Sequence, residues 1–426
     1  MFESLLNAFR APDIRRRIFF VLGILIVYRA LAQVPLPGID REALAAFFQQ
    51  NAAFGIIDLF AGGGLSAMSI VGLAMNPYIN ASIIMQLMTG VIPSLQNLSK
   101  EGEYGRQRLN QYTRYLTVPM ALLQAFGILS ALAAQDVIIG DFGLGNPQSW
   151  VQMVTLTAGA VVLMWLGELI TEKGIGNGIS FIIFAGIVSR APSALVQMLQ
   201  TPSPRDIALF LILGIVAVMV IIYIQEGQRR IPIQYASRVR GRRMYQGGQT
   251  FLPLRVNLAG VIPIIFAISI LAFPGQLAAY FSFSEVGAVR DVANAIGGFL
   301  APTTLQYSLI YFLLTVGFTY FYTAFTFKPD ETAEQLRKNG GFIPGIRPGR
   351  PTQEYLGRVV SRITLAGALF LGTVAVAPVL IGVLDPALGG LAIGGTGLLI
   401  VVSVVVETMK QIEAQLMMRN YEGFIR

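Results

Sequence analysis

Long apolar runs divide this chain, and positively charged residues occur in only some of the gaps between them. Of the 31 Lys and Arg residues, 26 lie in the N-terminal tail, in every second gap after the first, and in the C-terminal tail. The intervening gaps hold Arg41, Arg205 and Arg290, while Arg29 and Arg190 lie in or beside the runs. Loops rich in Lys and Arg stay in the cytoplasm. The pattern therefore predicts a multi-pass membrane protein with both termini in the cytoplasm.

The number of spans follows from the length of the apolar runs. A membrane-spanning helix needs about 20 predominantly apolar residues, which gives about ten spans here. The chain is 54% hydrophobic and only 13% charged, whereas soluble domains carry about 25% charged residues. The predicted spans lie near residues 18–34, 74–94, 115–134, 151–170, 179–199, 207–224, 258–281, 305–327, 363–384 and 388–406.

The N-terminal region allows two interpretations. Residues 1–17 read as an amphipathic segment on the cytosolic face, followed by a retained first span. The arginines at 15–17, the apolar run and Ala30-Leu31-Ala32 also resemble a cleavable secretory signal. Arg29 directly before that site, and an apolar run that continues to Val34, favour the retained helix.

Two spans contain a proline near their start, Pro77 in residues 74–94 and Pro263 in residues 258–281. Proline removes a backbone donor and breaks a helix. If the chain divides into halves at residues 18–200 and 207–406, these spans are the second of each half. Interrupted spans in matching positions indicate a translocation path between two repeats. Ordinary proline kinks are the alternative.

A short Gly-rich apolar stretch, residues 62–73, precedes the second span. Stretches of this length are more often re-entrant, interfacial or buried than spanning. Because the stretch follows an outer loop, it would enter the membrane from outside. A surface helix on the outer leaflet is the alternative.

Several residue types and motifs that catalysis, disulfide formation or nucleotide binding would need are missing from the sequence. The sequence has no Cys and no His, which excludes disulfides, thiol catalysis and imidazole acid–base work. No Gly-Lys dipeptide occurs, so there is no Walker A loop. Ion-coupled transporters carry charged residues within their spans. The centres of the predicted spans here are nearly free of them, and Glu168 and Arg29 lie near span ends. The sequence therefore predicts a passive conduit, neither an enzyme nor a cofactor protein, which an apolar constriction could seal.

Two predicted cytosolic loops, residues 225–257 and 328–362, are longer than connections usually are. In the first, Arg230–Tyr235 alternates apolar with polar residues, as a strand does, and Gly241 could turn a hairpin. Basic residues mixed with aromatics suit a phosphate-rich or acidic partner. Anionic lipid and topology alone are the alternative. Residues 407–426 read as a cytosolic tail, and the Gly174–Gly178 run as a tight turn rather than a nucleotide loop.

Several motifs along the chain match one family. They are Asn76-Pro77-Tyr78-Ile79-Asn80-Ala81-Ser82, Glu101-Gly102-Glu103, Gln111-Tyr112-Thr113-Arg114-Tyr115, Ile170-Thr171-Glu172-Lys173-Gly174-Ile175-Gly176-Asn177-Gly178, Leu252-Pro253-Leu254-Arg255-Val256-Asn257, Gly345-Ile346-Arg347-Pro348-Gly349 and Gly394-Gly395-Thr396-Gly397. Over nearly its whole length the chain resembles the SecY family, the channel subunits of the general secretion translocon of the bacterial plasma membrane.

The resemblance implies an all-α polytopic protein with two pseudo-symmetric five-helix halves and a re-entrant plug. It implies a pore ring formed by Ile79, Ile83, Ile183, Ile187, Ile262, Ile265 and Ile400. On residue type alone, isoleucines that face lipid or the core are the alternative. The implied plug comprises Gly64, Leu65, Ser66, Ala67, Met68, Ser69, Ile70 and Val71. The implied lateral gate lies between the second and seventh spans, with Gln86 and Asn257 as polar contacts.

The resemblance also implies the activity and the partners. The activity is conduction of unfolded secretory chains, with lateral release of apolar segments, opened by signal sequences. Implied partners are the small membrane subunits SecE and SecG, the motor ATPase SecA, and the ribosome, including its RNA; anionic lipid is a further candidate. Candidate partner-binding residues are Arg238, Arg240, Arg242, Arg243, Arg347 and Arg350. A secondary transporter for a small solute is the rival, although it would need a polar pocket and an ion site.

Overall fold

The computed structural model of the chain describes residues 9, 11–50, 64–143, 145–200, 204–235, 238–240, 243–245, 248–281, 287–301, 304–384 and 395–425. These residues are mainly helical. The helices of the first half are α1 (Pro12–Leu31), α2 (Arg41–Gln50), α3 (Asn76–Val91), α4 (Pro93–Lys100), α5 (Glu103–Ala133), α6 (Pro147–Lys173) and α7 (Gly178–Gln200). Those of the second half are α8 (Pro204–Glu226), α9 (Ile262–Phe281), α10 (Gly287–Phe299), α11 (Leu305–Thr326), α12 (Pro329–Lys338), α13 (Arg350–Leu384) and α14 (Gly395–Ile425).

Each of the ten predicted spans overlaps a helix, so the expectation of an all-α polytopic membrane protein is confirmed. Among the described residues, four helices are long and apolar enough to cross a membrane, or five if the bent pair α3–α4 is one span. Shorter apolar helices cover Gly178–Ser189, Leu211–Glu226 and Ile262–Ala272. Phe9 is the one described residue before position 11, so most of the predicted N-terminal amphipathic segment lies outside the described residues.

The prediction that Pro77 and Pro263 break their spans is wrong. Pro77 lies in the first turn of α3, and Pro263 is the second residue of α9. Proline is tolerated there because the first backbone N–H groups of a helix have no partner within it. The sharp break comes instead at Pro93, where α3 and α4 meet at 100°. Residues 64–75 before α3 and residues 256–261 before α9 are non-helical, so these prolines begin helices that follow irregular segments.

The Gly174–Gly178 run is a tight turn between α6 and α7, as predicted. Gly176 has φ +87°, and the Asn177 side chain accepts hydrogen bonds from the backbone N–H groups of Ile179 and Ser180. A Cβ atom at Gly178 would overlap the carbonyl oxygen of Gly167. The glycines therefore let two membrane helices approach closely at this turn.

The two long loops form one folded unit. Strand β1 (Gln228–Tyr235) pairs antiparallel with β4 (Gln249–Arg255), as the alternation predicted, and also with β5 (Gly341–Phe342) from the second loop. A smaller hairpin pairs β2 (Arg238–Arg240) with β3 (Arg243–Tyr245). The sheet and α12 pack on the first turns of α13 through an apolar cluster of Ile231, Leu254, Ala333, Ile343, Leu356, Val359 and Val360. We call strands β1–β5, α12 and residues 350–362 the loop subdomain.

Segments predicted to share a side of the membrane cluster together. Ala11 and Ile14 near the N-terminus pack with Ile175 of the turn and Ile412 of α14, and all three regions are predicted to be cytosolic. On the other side, Leu36, Leu65 and Val137 belong to a single apolar cluster. The loops that pack together are therefore the ones that the charge pattern predicts to lie on the same side of the membrane.

Candidate pore constriction and its plug

The isoleucines of the predicted ring belong to one apolar cluster. Six of the seven are buried in a single apolar cluster, and Ile262 is partly buried and packs against it. The six are Ile79, Ile83, Ile183, Ile187, Ile265 and Ile400. The six therefore do not face lipid. Packing in the core, the other part of that alternative, fits the same burial, and the role as a pore ring stays a prediction.

Four helices supply the buried isoleucines: α3, α7, α9 and α14. On α3 the residues Ile79 and Ile83 are four apart, and on α7 so are Ile183 and Ile187. Side chains at i and i+4 lie on the same helix face, one turn apart. Each of these two helices therefore contributes two layers of branched side chains to the cluster.

A small cavity of about 20 Å³ lies within this cluster. A cavity of that size has room for a water molecule and little more. Its lining residues are Met75, Asn76, Ile79, Ile183, Ile265, Ile268 and Ser269. The space between α3, α7 and α9 is thus filled mainly by packed apolar side chains, and Asn76 and Ser269 are its polar lining residues.

Residues 64–75 are a chain of turns rather than a helix, and most of them are buried. The backbone N–H of Leu36 donates to the carbonyl oxygen of Met68 at 2.8 Å, and the N–H of Ile70 donates to that of Val34 at 3.0 Å. The hydroxyl of Ser69 donates to the carbonyl oxygen of Gly64 at 3.2 Å. Burial in turns contradicts the alternative of a surface helix on the outer leaflet. We call residues 64–75 the plug segment.

The plug segment connects two apolar clusters. Leu65 and Met68 belong to the cluster that also contains Leu36 and Leu156. Val71 belongs to the cluster that contains the six buried isoleucines, which we call the isoleucine cluster, and Ile70 packs against it. Of the predicted plug residues, Ile70 and Val71 therefore join the cluster that contains the predicted ring, whereas Ser66 is only half-buried and Ala67 is exposed.

Two residues of the plug segment have an unfavourable backbone conformation. Met68 has φ +41° and Ala74 has φ +49°. Non-glycine residues rarely adopt this left-handed region, and each instance costs about 1–3 kcal/mol. Packing and hydrogen bonds hold the segment in place against this strain.

Gly159 of α6 allows the plug segment to approach. A Cβ atom at this position would overlap the carbonyl oxygen of Ile70. Sequence reasoning missed this residue, as it missed Met75 and Ser269 at the cavity. A small residue in the middle of a membrane helix is a weak signal, since Gly is frequent in such helices.

Of the two predicted gate residues, one lies on a helix and the other in an irregular segment. Gln86 is half-buried on α3, where its Nε2 donates to the Ser82 hydroxyl at 3.3 Å. Asn257 is buried in the irregular segment before α9, not on the helix, and its Nδ2 donates to the Gly260 carbonyl oxygen at 3.0 Å. Among the described residues, the side-chain oxygens of both amides are buried without a hydrogen-bond partner. Helices α3 and α9 themselves pack against each other.

The described candidate partner-binding arginines belong to the loop subdomain or its edge. Arg238 and Arg240 lie on β2 and Arg243 on β3. Arg347 is exposed in the turn before α13, and its carbonyl oxygen accepts a hydrogen bond from the Thr352 hydroxyl at 2.9 Å. Arg350 is the first residue of α13 and pairs with Glu354 at 3.4 Å. Arg242 lies outside the described residues.

Comparisons with known proteins point to one family. The SecY family's sequence model matches residues 69–409. The protein translocase subunit SecY of Corynebacterium glutamicum is 44% identical over 440 residues, covering 100% of both chains. That of Mycobacterium tuberculosis (strain H37Rv) is also 44% identical, over 445 residues and 100% of both chains.

Solved structures with the same fold include two protein-conducting channels. One is a SecY channel described in a study of how its plug domain stabilises the closed state, with a TM-score of 0.66, 18% identity, and coverage of 93% of this chain and 91% of that one. Another is Sec61 in the canine ribosome–channel complex, with a TM-score of 0.61, 17% identity and the same coverage.

Replacing Gly159 with Ala should loosen the plug segment, because the new methyl group overlaps the Ile70 carbonyl oxygen. Overpacking of this kind costs about 1–3 kcal/mol. We expect backbone amides of Leu36 and Ile70 to exchange hydrogen about tenfold faster, since 1.4 kcal/mol is tenfold in an opening equilibrium. Hydrogen–deuterium exchange with mass spectrometry measures this. Gly127→Ala on α5, where a Cβ atom meets nothing within 4 Å, is the control; equal exchange in both variants would contradict the prediction.

Proposed function

The chain belongs to the SecY family of protein translocase subunits, and we propose that it conducts unfolded polypeptides through a pore that the buried isoleucine cluster seals. Family membership makes it a non-enzymatic protein-conducting channel of the membrane rather than a small-solute transporter. The observation that carries the proposed seal is the burial of six isoleucines from four helices in one apolar cluster, three of which, Ile79, Ile183 and Ile265, line a cavity with room for one water.

Branched apolar side chains suit both tasks of such a seal. An ion that enters a narrow apolar constriction loses its hydration shell and finds no oxygen ligands to replace it. A polypeptide can push the same side chains aside, because apolar contacts are non-directional and re-form with the entering chain. The seal therefore discriminates by size and hydration and needs no specific binding site.

We propose that the plug segment moves when a polypeptide enters. Its burial against the isoleucine cluster and its hydrogen bonds to residues 34 and 36 stabilise the resting position. The left-handed Met68 and Ala74 oppose that position by about 1–3 kcal/mol each. Because backbone strain offsets part of the stabilisation from burial and hydrogen bonds, moving the segment costs less free energy than its buried area alone would suggest.

We propose that the lateral gate lies between α3 and α9. The two helices pack together and both contribute to the lining of the small cavity. Gln86 and Asn257 each bury an amide oxygen without a donor, and an unsatisfied buried acceptor costs about 1–3 kcal/mol. A signal sequence that brings a donor or admits water between the helices would relieve that cost.

The energy for conduction would come from partners. The chain has no Walker A loop, and the loop subdomain presents exposed arginines on a folded scaffold. We propose that it docks the motor ATPase SecA and the ribosome there, through Arg347 and the β2–β3 hairpin, with SecE and SecG as further membrane subunits. The Sec61 neighbour is itself part of a ribosome–channel complex, which supports the ribosome as one driver.

We propose placement in a bacterial plasma membrane with both termini in the cytoplasm. Lys and Arg alternate between loops as the positive-inside rule requires. The shared cluster of Ala11, Ile175 and Ile412 supports one side for the N-terminal region, the α6–α7 turn and the extension of α14.

Replacing Ile83 and Ile187 with Ser should raise the resting ion leak, because the constriction becomes wettable. Losing about 1.4 kcal/mol of the barrier gives about a tenfold rise. Conductance of the reconstituted channel in planar bilayers measures it. Ile215→Ser, at a side chain on α8 that is 59% exposed, is the control. Conductance that stays at the level of the unsubstituted channel would count against the seal.

Arg347→Glu should reduce motor-driven or ribosome-driven export about tenfold or more, since reversing one charge at an interface costs a few kcal/mol. Resting conductance should not change, because the residue lies outside the constriction. Arg337→Glu on α12, whose side chain is 61% exposed, is the matched control. Normal export by reconstituted vesicles carrying Arg347→Glu would refute the docking role.

A cysteine pair at Asn76 and Ser269, which line the same cavity from α3 and α9, should lock the gate when crosslinked. The chain has no Cys, so the pair is introduced without background. A thiol crosslinker should block insertion of a signal sequence, whereas either single-cysteine variant should be insensitive. Full export after verified crosslinking would rule out a gate between these helices.

A further inference from the structure

An open cavity of about 400 Å³ lies between residues 229 and 256, where β1 begins and β4 ends, and residues 355–366 of α13, away from the isoleucine cluster. Its volume falls within the range of small-molecule binding sites. The lining residues are Arg229, Val256, Tyr355, Arg358, Val359, Arg362, Ile363 and Ala366.

The cavity is basic. Three of its eight lining residues are arginines and none is acidic. Among the described residues, none of these three arginines takes part in an ion pair, and Arg358 uses its Nε for a 3.4 Å bond to the Glu354 carbonyl oxygen. Unpaired guanidinium groups around one space favour a ligand with a phosphate group, which arginine can bind with two parallel hydrogen bonds.

The cavity also has an apolar side, and its position on α13 explains why. The lining residues from 355 to 366 recur at helical spacing and so share one face of α13. Arg358 and Arg362 precede Ile363 and Ala366, where the predicted span 363–384 begins. Gly367 lets the other wall approach, because a Cβ atom there would lie 2.6 Å from the Val256 carbonyl oxygen. The cationic groups therefore lie within about one helical turn of the apolar span.

We propose that this cavity binds an anionic phospholipid, with the phosphate at the arginines and an acyl chain along Ile363 and Ala366. Free phosphate or RNA would use the cations but has no use for the apolar wall. The inference rests on the proposed membrane placement and assigns a site to the anionic lipid that the charge pattern suggested. It does not depend on conduction.

Photocrosslinking tests the proposal on the assembled translocase in nanodiscs of phosphatidylcholine with a photoactivatable phosphatidylglycerol. Mass spectrometry locates the crosslinks on peptides of residues 355–366. Arg358→Gln with Arg362→Gln should reduce crosslinking about tenfold or more, as each cation near an anionic lipid contributes roughly a fivefold effect. Ala366→Trp should also reduce it, because the indole fills the apolar side while the charges remain.

The exposed Arg337→Gln, outside the cavity, should crosslink like the unsubstituted protein. Equal crosslinking by the double arginine variant would overturn the site. Two other results would also overturn it. In the first, inorganic phosphate competes with the lipid probe while Ala366→Trp crosslinks fully, which indicates a phosphate site. In the second, a peptide of a partner subunit is crosslinked to these residues in place of lipid. The same protein preparations are also transferred to vesicles, where export of a secretory precursor is measured. Failure of conduction is thereby distinguished from failure of lipid binding.

Discussion

Packing of branched apolar side chains from several helices is the constraint on which this structure depends. Helices α3, α7, α9 and α14 each supply at least one buried isoleucine to a single cluster. Attraction between such side chains is individually weak, so a threaded chain can displace them. Their cost to an ion is large, because nothing replaces its water. A channel for polymers can therefore be sealed without a rigid door, provided that the helices around it remain in register.

In the function proposed here, the plug segment adds to the seal. Its apolar residues join the isoleucine cluster at Val71 and a second cluster at Leu65 and Met68, so it ties the two together. Gly159 permits this contact, and the left-handed Met68 and Ala74 limit how strongly it is held. A plug without strain would be tighter but slower to release. Balanced stabilisation and strain are what a seal that must open repeatedly requires.

Sequence reasoning predicted the helical spans well because span length and loop charge are properties of local sequence. It placed the isoleucines by resemblance, and their burial in one cluster agrees with that placement. It misjudged Pro77 and Pro263, since a proline in an apolar run looks the same whether it begins a helix or breaks one. The pairing of Gly341–Phe342 with β1 and the contact at Gly159 could not be predicted, because both join residues far apart in the chain.

If a partner docks on the loop subdomain as proposed, the subdomain offers it a physical route to the membrane helices. Arg347 lies three residues before α13, and Thr352 in the first turn bonds to its carbonyl oxygen. Buried Leu356, Val359 and Val360 fix the same helix to the sheet, and α13 then continues without interruption to Leu384. A helix resists bending far more than a loop does, because backbone hydrogen bonds join its successive turns. Pro378 removes one such bond, near the end of α13. A force applied at Arg347 would therefore act on α13 as a whole, and on α11 and α9 that pack against it, rather than dissipate in the loop.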